Sequence, residues 1–422
     1  MTDPVLAIDF GTSNTAVAVL EGGRPRLLPI EGGAATLPTA VFLPAGGGAM
    51  RIGAAAAEAL IAGEDGRYMR ALKSVLGTAL FHEPRLIGRQ RRTLADIVTA
   101  FLAGLKSRAE AAAGRRFDRV LSGRPVHFHT AAPDRDAAAE ADLRACYLAA
   151  GFAQVEFALE PEAAALASPA PRRPGGLGLI VDIGGGTSDF SVFRTGGDGV
   201  RILGSHGIRL GGTDFDHAVS MAHAMPLLGL GGQLRRSLGD GLLPVPQAIY
   251  VDLSTWAMIP FLYTAETQRA VADLQRHALD PVPMRRLARV IGDHLGHDLA
   301  FAVERGKIAA NSGLRGAGID MGMVEPGLSV PVTPGSLNAA LQPQRAPLEG
   351  ALRETLFRAA VAPAEIDTVV LVGGSSLMAL VESEARAVCP QARIERSEVF
   401  TAVADGLALA TAPGAGLGAG LR

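Results

Sequence analysis

The chain has 422 residues, enough for two or more domains, and 48% of them are hydrophobic, so a sizeable core is available. The net charge of −2 gives no electrostatic reason to expect a nucleic acid or an anionic membrane as a partner. The only cysteines, Cys146 and Cys389, exclude a disulfide framework and favour a reducing cytoplasm, while abundant glycine and alanine predict close packing of helices on sheets.

The first predicted strand ends in a short glycine turn. Apolar residues 5–8 lead into Asp9, after which the chain turns and a second strand follows around residues 17–19. Because this strand begins so close to Met1, no signal peptide is expected. The turn offers backbone N–H groups and hydroxyls that could bind a phosphate, and its residues are Gly11, Thr12, Ser13 and Asn14.

Between this turn and residue 176, the hydrophobic pattern predicts alternating strands and helices. Apolar residues recur on one face of a helix over Leu94–Ala113. The stretch 168–176 is rich in proline and glycine and indicates a boundary between two domains. The other predicted elements are a strand over 36–43, a helix over 54–62, a strand over 120–129 and a helix over 135–150.

A second glycine turn opens the other half of the chain. The apolar strand 179–183 runs into glycines 184–186, which let the backbone turn sharply and approach an anion. Asp182 precedes the turn and Asp189 follows it. Carboxylates there would repel a phosphate unless a hard cation lay between them, so Mg²⁺ is expected. Thr187 adds a hydroxyl donor, and another strand follows, as after the first turn.

A third glycine turn follows the apolar run 369–372. It contains Gly373 and Gly374 and is interpreted as a strand entering a helix, whose N-terminal N–H groups suit a nucleotide or simply cap the helix. Together with two Asp-x-Gly turns, one in each half of the chain, it favours two related domains that face one nucleotide.

In this order and spacing, the three turns resemble those of the nucleotide-binding domain of the heat-shock-seventy (DnaK-type) chaperones, within the actin-like ATPase superfamily. The resemblance covers nearly the whole chain. It implies an α/β fold of two lobes, each with a five-stranded mixed sheet and flanking helices, with ATP or ADP and Mg²⁺ in the central cleft. The implied boundaries are 1–170 for lobe I with a subdomain inserted at about 36–92, 177–412 for lobe II with a subdomain inserted at about 216–300, and 413–422 for a flexible tail.

The resemblance implies catalysis mainly by positioning and charge neutralisation. Lys73 would neutralise the γ-phosphate, and Glu160 would arrange the attacking water beside the metal. A solvated helix lysine and a simple helix start remain the alternatives for these two residues. The implied catalytic residues are Lys73, Glu160, Asp182, Asp189 (as proton acceptor) and Thr187, and Asp9 and Asp182 would hold Mg²⁺ through water.

The resemblance also implies nucleotide contacts along the whole chain. Residues 210–216 resemble the Gly-Gly turn that opens the family's next helix, and a role as simple helix caps stays open for Asp214 and Asp216. Residues 303–311 resemble its adenosine-contacting helix, with ribose-binding positions at Glu304 and Lys307. The implied contacts are Gly11, Thr12, Ser13, Asn14, Gly184, Gly185, Gly186, Thr187, Gly211, Gly212, Thr213, Glu304, Lys307, Ile308, Asn311, Gly373, Gly374, Ser375 and Leu377.

Three positions depart from the family's pattern. Ile308 and Leu377 stand where the family has the two arginines that sandwich the adenine. Apolar side chains can still stack on a purine, but the cation–π contribution is lost, which bears on affinity and base selectivity. Phe400 stands where the family has an acidic residue.

Residues 225–263 depart further and contain the only tryptophan, Trp256. The segment looks like the insertion of the YegD-type proteins, a branch of the family that lacks a peptide-binding domain. Two interpretations remain open for it. It is either a packed loop and helix or a docking surface for a protein partner.

The leading hypothesis is a monomeric, cytoplasmic protein of heat-shock-seventy type that hydrolyses ATP slowly and rotates two lobes about the nucleotide. Because the chain stops soon after its last predicted helix, peptide clamping is not expected. The alternative is a nucleotide-gated scaffold with little turnover, which the lost arginines favour and Lys73 and Glu160 disfavour. Sugar kinases share the two-turn pattern, but no motif for a second-substrate carboxylate is found.

Overall fold

The computed structural model describes residues 4–87, 90–129, 133–167, 175–196, 199–236, 239–256, 258–396 and 401–412. These residues form an α/β structure, as predicted, and the chain divides into two compact units. Unit 1 comprises Met1–Gly211, Leu348–Leu377 and Val381–Arg422, and unit 2 comprises Gly212–Pro347 and Met378–Leu380. The division after Gly211 falls inside the range predicted for lobe II, and the lobe boundaries stay a prediction. Phe400, the tail from 413 and most of the 168–176 connection lie outside the described residues.

The strands and the helices of the described chain are each numbered in chain order. The strands are β1 (Val5–Phe10), β2 (Asn14–Glu21), β3 (Arg24–Leu27), β4 (Thr36–Pro38), β5 (Ala40–Pro44), β6 (Arg51–Ile52), β7 (Gly66–Arg70), β8 (Arg85–Ile87), β9 (Gln90–Arg92), β10 (Arg119–Arg124), β11 (Gln154–Leu159), β12 (Leu177–Ile183), β13 (Ser188–Gly196), β14 (Gly199–Ile208), β15 (Gln233–Arg235), β16 (Leu242–Pro244), β17 (Gly318–Asp320), β18 (Ser329–Pro331), β19 (Thr368–Val372) and β20 (Arg393–Arg396). The helices are α1 (Ala54–Ile61), α2 (Ala79–His82), α3 (Leu94–Ala113), α4 (Pro133–Ala149), α5 (Glu160–Ala167), α6 (Gly212–Val219), α7 (Met225–Leu227), α8 (Ala248–Leu253), α9 (Ala265–His277), α10 (Pro281–Gly292), α11 (Gly296–Asn311), α12 (Pro334–Ala340), α13 (Arg345–Arg358), α14 (Ala379–Val388) and α15 (Ala402–Ala410). Within the described ranges, none of these helices is both long and apolar enough to cross a membrane.

Unit 1 contains two large sheets in which the same pattern of strand directions occurs. In the first, β3, β2 and β1 are antiparallel, and β10 and β11 continue parallel to β1. In the second, β14, β13 and β12 are antiparallel, and β19 and β20 continue parallel to β12. Each sheet therefore consists of an antiparallel meander followed by two parallel strands.

The first sheet was predicted to have five strands. In the described residues it has a sixth, because β4 also pairs with β2. The single strand predicted over 36–43 is interrupted at Thr39, whose hydroxyl is hydrogen-bonded to that of Thr15 on β2. After this interruption the chain leaves the large sheet, and β5 pairs with β6 and β7 in a separate small sheet.

The two faces of strand β1 carry side chains of different size. Ile8 and Phe10 are fully buried in one core cluster with Phe101 of α3. Ala7, on the other face, is buried in a second cluster that includes α5, α15 and Ile180 of the second sheet. Because successive side chains in a strand point to opposite faces, the small alanine side chain leaves room for helices between the two sheets.

Helix α3 confirms the predicted amphipathic helix over Leu94–Ala113. The Thr93 hydroxyl accepts a hydrogen bond from the backbone N–H of Asp96, and the Asp96 carboxylate accepts one from the backbone N–H of Thr93. At the other end Gly114 adopts the left-handed conformation, with φ of 66°. Local capping and a buried apolar face therefore define both ends of this helix.

Helices α5 and α15 approach each other closely at Gly406. A Cβ atom at this position would lie 1.7 Å from the carbonyl oxygen of Ala163 on α5, so only glycine fits. The close packing predicted from the glycine and alanine content is confirmed here.

Unit 2 is mainly helical and has its own core. Tyr250 is fully buried and its hydroxyl donates to the carbonyl oxygen of Leu228. Trp256 packs edge-on against His297 and Phe301, with ring centroids 4.9 Å apart in both pairs. Phe261, five residues further on, is 70% exposed. The 225–263 segment thus contains both packed and exposed aromatic side chains, and its role in docking stays a prediction.

We expect Gly406→Ala to destabilise the protein, although alanine has the higher helix propensity. The added Cβ would overlap the Ala163 carbonyl, and over-packing costs about 1–3 kcal/mol, against a propensity gain of about 1 kcal/mol. Urea unfolding followed by circular dichroism measures the difference. The matched control is Gly350→Ala on α13, where a Cβ atom would meet nothing within 4 Å. The control should be neutral or stabilising, and a Gly406→Ala protein as stable as wild type would contradict the close approach.

Candidate functional site

Two glycine turns of unit 1 lie in direct contact. A Cβ atom at Gly185, in the β12–β13 turn, would lie 2.2 Å from Oγ of Ser13, in the β1–β2 turn. The β1–β2 turn is itself tight, since a Cβ atom at Gly11 would lie 2.3 Å from the carbonyl oxygen of Asn14. The other turn is closed by a hydrogen bond from the N–H of Gly184 to the carbonyl of Thr187. The structure therefore brings the predicted phosphate-binding turns of the two sheets together.

Two further glycines bring other predicted segments to the same place. A Cβ atom at Gly373 would lie 2.7 Å from Oδ1 of Asp182, and one at Gly211 would lie 2.5 Å from the backbone nitrogen of Gly186. After Gly373 the chain forms a 3₁₀ turn before α14 begins, so the strand does not enter a helix directly as predicted. The predicted residues Gly374, Ser375 and Leu377 lie in this 3₁₀ turn.

A buried ion pair lies in the same unit. Lys73 is on a short 3₁₀ turn, Leu72–Val75, and its Nζ lies 2.5 Å from Oε1 of Glu160. The two side chains are only 9% and 12% exposed. Lys73 is therefore not a solvated surface lysine, and Glu160, which also begins α5, binds a charged partner.

Three aspartates share the environment of this pair. Asp182 and Asp189 are directly opposite each other on the antiparallel strands β12 and β13. Asp9 occupies the corresponding position of β1, two residues before the turn glycine. The negative charge of Glu160 and the positive charge of Lys73 act on all three aspartates. Four carboxyl groups therefore interact electrostatically with one ammonium group.

Burial and this charge imbalance raise the pKa of every aspartate in the cluster. The pKa rises from the ordinary 3.8 to about 8 for Asp9, about 7 for Asp182 and about 8 for Asp189. Burial is the largest cause in each case, and repulsion by neighbouring carboxylates adds to it. Burial alone would lower the pKa of Lys73, but attraction to Glu160 and Asp9 reverses this effect and raises it.

The excess of carboxyl groups fits a divalent cation. Across the described ranges, no group of three or more His, Cys, Asp or Glu side chains is placed to hold a metal ion by itself. Mg²⁺ commonly keeps several waters and takes its other ligands from one or two carboxylates and the phosphates of a substrate. The position of Asp9 and Asp182, each two residues before a turn glycine, suits that kind of binding.

The remaining predicted contacts lie in unit 2, on α6 and α11. Lys307 is buried, and its Nζ lies 2.7 Å from Oδ1 of Asp216 on α6. The side-chain oxygen of Asn311 accepts a hydrogen bond from the backbone N–H of Ala379. The other predicted contacts of this unit are Glu304 and Ile308 on α11, and Gly212 and Thr213 at the start of α6.

The sequence did not indicate how the Lys73 segment is held in place. His129 Nε2 donates to the carbonyl of Leu76 at 2.7 Å, and Asp142 Oδ2 accepts from the N–H of Gly77 at 2.8 Å. These partners are 53 and 65 positions apart in the chain. No local pattern could have predicted either contact. The glycine at 77 indicated only that the backbone there could adopt a conformation closed to other residues.

A comparison with protein families gives a match over part of the chain. The family model described as Hsp70 protein matches residues 85–225. This range contains Glu160, the whole β12–β13 turn and Gly211. Asp9 and Lys73 lie outside it, so their place in the site is supported by the geometry described above.

We expect the free energy of unfolding to fall between pH 5 and pH 8 through this cluster. In the folded protein the three aspartates stay protonated until the pH reaches about 7 to 8. In the unfolded chain they lose their protons near the ordinary pKa of 3.8. The folded state therefore binds more protons in this window, and raising the pH favours unfolding. Thermal melts of the nucleotide-free protein from pH 5 to pH 8 measure the slope.

Asp182→Asn should reduce this slope, because the amide keeps the shape of the side chain but does not titrate. The matched control is Asp134→Asn, which changes an exposed carboxylate on α4. Burial lowers the pKa of His206, so this residue makes the protein more stable as the pH rises. The contribution is the same in wild type and variant and therefore cancels when the two slopes are compared. An unchanged slope in Asp182→Asn would contradict the raised pKa of Asp182.

Proposed function

We propose that this protein binds ATP with Mg²⁺ and hydrolyses it slowly, as an Hsp70-like ATPase. The observation that carries the proposal is the buried Lys73–Glu160 pair, which shares its environment with three partly buried aspartates near two touching glycine turns. The match of residues 85–225 to Hsp70 protein supports the same class of function.

The two turns would bind the phosphates. Each presents backbone N–H groups and hydroxyls at the end of a buried strand, a combination that suits anions. Thr187 is exposed and Thr12 and Ser13 are partly exposed, so these hydroxyls are accessible to a ligand. The glycines at 185 and 211 keep Cβ atoms out of the space between the segments.

The charged cluster would carry out the hydrolytic step. When bound, Mg²⁺ supplies positive charge to the β- and γ-phosphate oxygens, and Asp9 and Asp182 would hold it through water. Lys73 would add positive charge beside the γ-phosphate, and Glu160 would orient the attacking water. Asp189, with a pKa of about 8, suits a proton acceptor that works near neutral pH.

The nucleoside would contact α11. Lys307 already forms an ion pair with Asp216, but an ammonium group has three donors, so it can share one with a ribose hydroxyl. Ile308 is 56% exposed and offers an apolar surface to a purine. Base selectivity would then come from shape and stacking without a cation–π contribution.

A nucleotide-gated scaffold with little turnover is the second candidate. The exposed Ile308 favours it, because an apolar contact in place of an arginine can bind a nucleotide without accelerating hydrolysis. In this function the segment 225–263 would bind a protein partner through exposed side chains such as Phe261. A cytoplasmic location is part of both proposals, since Cys146 and Cys389 are free and buried.

We expect Lys73→Ala to reduce single-turnover ATP hydrolysis by about 100-fold while nucleotide affinity changes little, because Lys73 acts mainly on charge that develops in the transition state. Asp182→Ala should reduce both hydrolysis and Mg²⁺-dependent binding. Quench-flow with radiolabelled ATP measures the first quantity and calorimetry the second.

The control for this experiment is Lys106→Ala, since Lys106 lies on α3 and pairs with Glu110. It should hydrolyse ATP at the wild-type rate. Tight binding of ATP without hydrolysis by the wild type would favour the scaffold. No binding at all would contradict both candidates.

A further inference from the structure

One peptide unit next to Lys73 is held from both sides by side chains distant in sequence. The carbonyl of Leu76 accepts a hydrogen bond from His129, and the N–H of Gly77 donates one to Asp142. These two backbone groups belong to the same peptide bond. Because a peptide is planar, fixing its oxygen and its nitrogen fixes the orientation of the whole unit.

The residue at 77 has to be glycine for this contact to form. Its φ is +73°, and a Cβ atom there would lie 2.3 Å from the carbonyl oxygen of Arg135 and 2.9 Å from the nitrogen of Ala139. The backbone therefore lies directly against α4. Asp142, which lies on the same helix, is 12% exposed, and its second oxygen is 2.8 Å from His82 Nε2.

The ion pair with Glu160 holds the side chain of Lys73, whereas its backbone lies in a turn of low intrinsic stability. The 3₁₀ turn has four residues, Leu72–Val75, and it is preceded by Ala71 in the left-handed conformation, with φ of 57°. A short turn entered through a strained residue has low intrinsic stability. The held peptide follows this turn directly, so its orientation restricts where the backbone of Lys73 can lie.

We propose that Asp142 and His129 are positioning residues, which set the place of the Lys73 ammonium by clamping the Leu76–Gly77 peptide. The inference rests on the proposed function for its effect on hydrolysis, but the clamp itself can be tested without it. Neither residue touches the phosphate-binding turns in the described structure, so both act through Lys73.

The first test is chemical labelling of lysine in the nucleotide-free full chain. Lysine occurs at positions 73, 106 and 307 and nowhere else, so mass spectrometry after brief treatment with an acetylating reagent reports each site separately. In Asp142→Ala, labelling of Lys73 relative to Lys106 should rise about tenfold, because the released turn exposes the amine. Asp142→Asn keeps an oxygen for the Gly77 N–H and should show a smaller rise. The exposed control Asp134→Asn should behave as wild type.

The second test is catalytic. Asp142→Ala should lower the single-turnover rate of ATP hydrolysis about tenfold while the Kd for ATP stays within about twofold, because positioning acts on the chemical step. In a Lys73→Ala background the same substitution should have no further effect on the rate. A general loss of structure would instead reduce affinity and act in both backgrounds.

A parallel pair of variants keeps the proposal testable if Asp142→Ala does not fold. His129→Ala removes the donor to Leu76, and His129→Gln retains an N–H that can replace it. Increased Lys73 labelling in the alanine variant, reversed in the glutamine variant, would support the clamp.

Unchanged labelling of Lys73 in the folded Asp142 and His129 alanine variants would overturn the proposal. If labelling of Lys73 increases in these variants but the wild type does not hydrolyse ATP, the clamp is supported and the proposed ATPase function is rejected. The two failures are therefore distinguishable.

Discussion

The candidate site of unit 1 depends on a partly buried cluster in which four carboxyl groups interact electrostatically with one ammonium group. Burying such charges is unfavourable, and Lys73 can compensate for only part of it. The raised pKa values of Asp9, Asp182 and Asp189 reflect this, because protonation is the alternative to leaving the charges uncompensated. A cluster of this kind lowers the stability of the fold and is typical of a functional site. A divalent cation with phosphate would complete its charge balance.

The fold builds this cluster from a repeated arrangement. Asp9 and Asp182 lie near the ends of β1 and β12, which occupy equivalent places in two sheets with the same strand order. Helices α5 and α15 lie between these sheets, where alanine faces and Gly406 allow close packing. The close approach of the sheets brings Ser13 against Gly185. Small residues in the core therefore determine the geometry of the site.

Features that depend on a few neighbouring residues could be predicted from the sequence, whereas contacts between distant segments could not. Helix α3 and the glycine turns were predictable because capping residues, hydrophobic periodicity and glycine clusters act over a few positions. Lys73 and Glu160 were assigned by resemblance, since nothing local relates residues 87 positions apart. The break at Thr39 was missed because residues 36–43 were interpreted as one strand across Pro38 and Thr39, although a proline followed by a polar residue can mark the point where a chain leaves a sheet. The contacts of His129 and Asp142 depend on tertiary packing, and the glycine at 77 gave no information about which residues would contact it.

The most direct test of the central claim is calorimetric titration with ADP and Mg²⁺ at pH 7, in two buffers that differ in ionisation enthalpy. If the carboxyl cluster receives the cation, protons held by Asp9, Asp182 and Asp189 are released on binding, and the apparent enthalpy depends on the buffer. We expect Mg²⁺-dependent binding with net proton release, which becomes smaller in Asp182→Asn. Binding that needs no Mg²⁺ and releases no protons would contradict it.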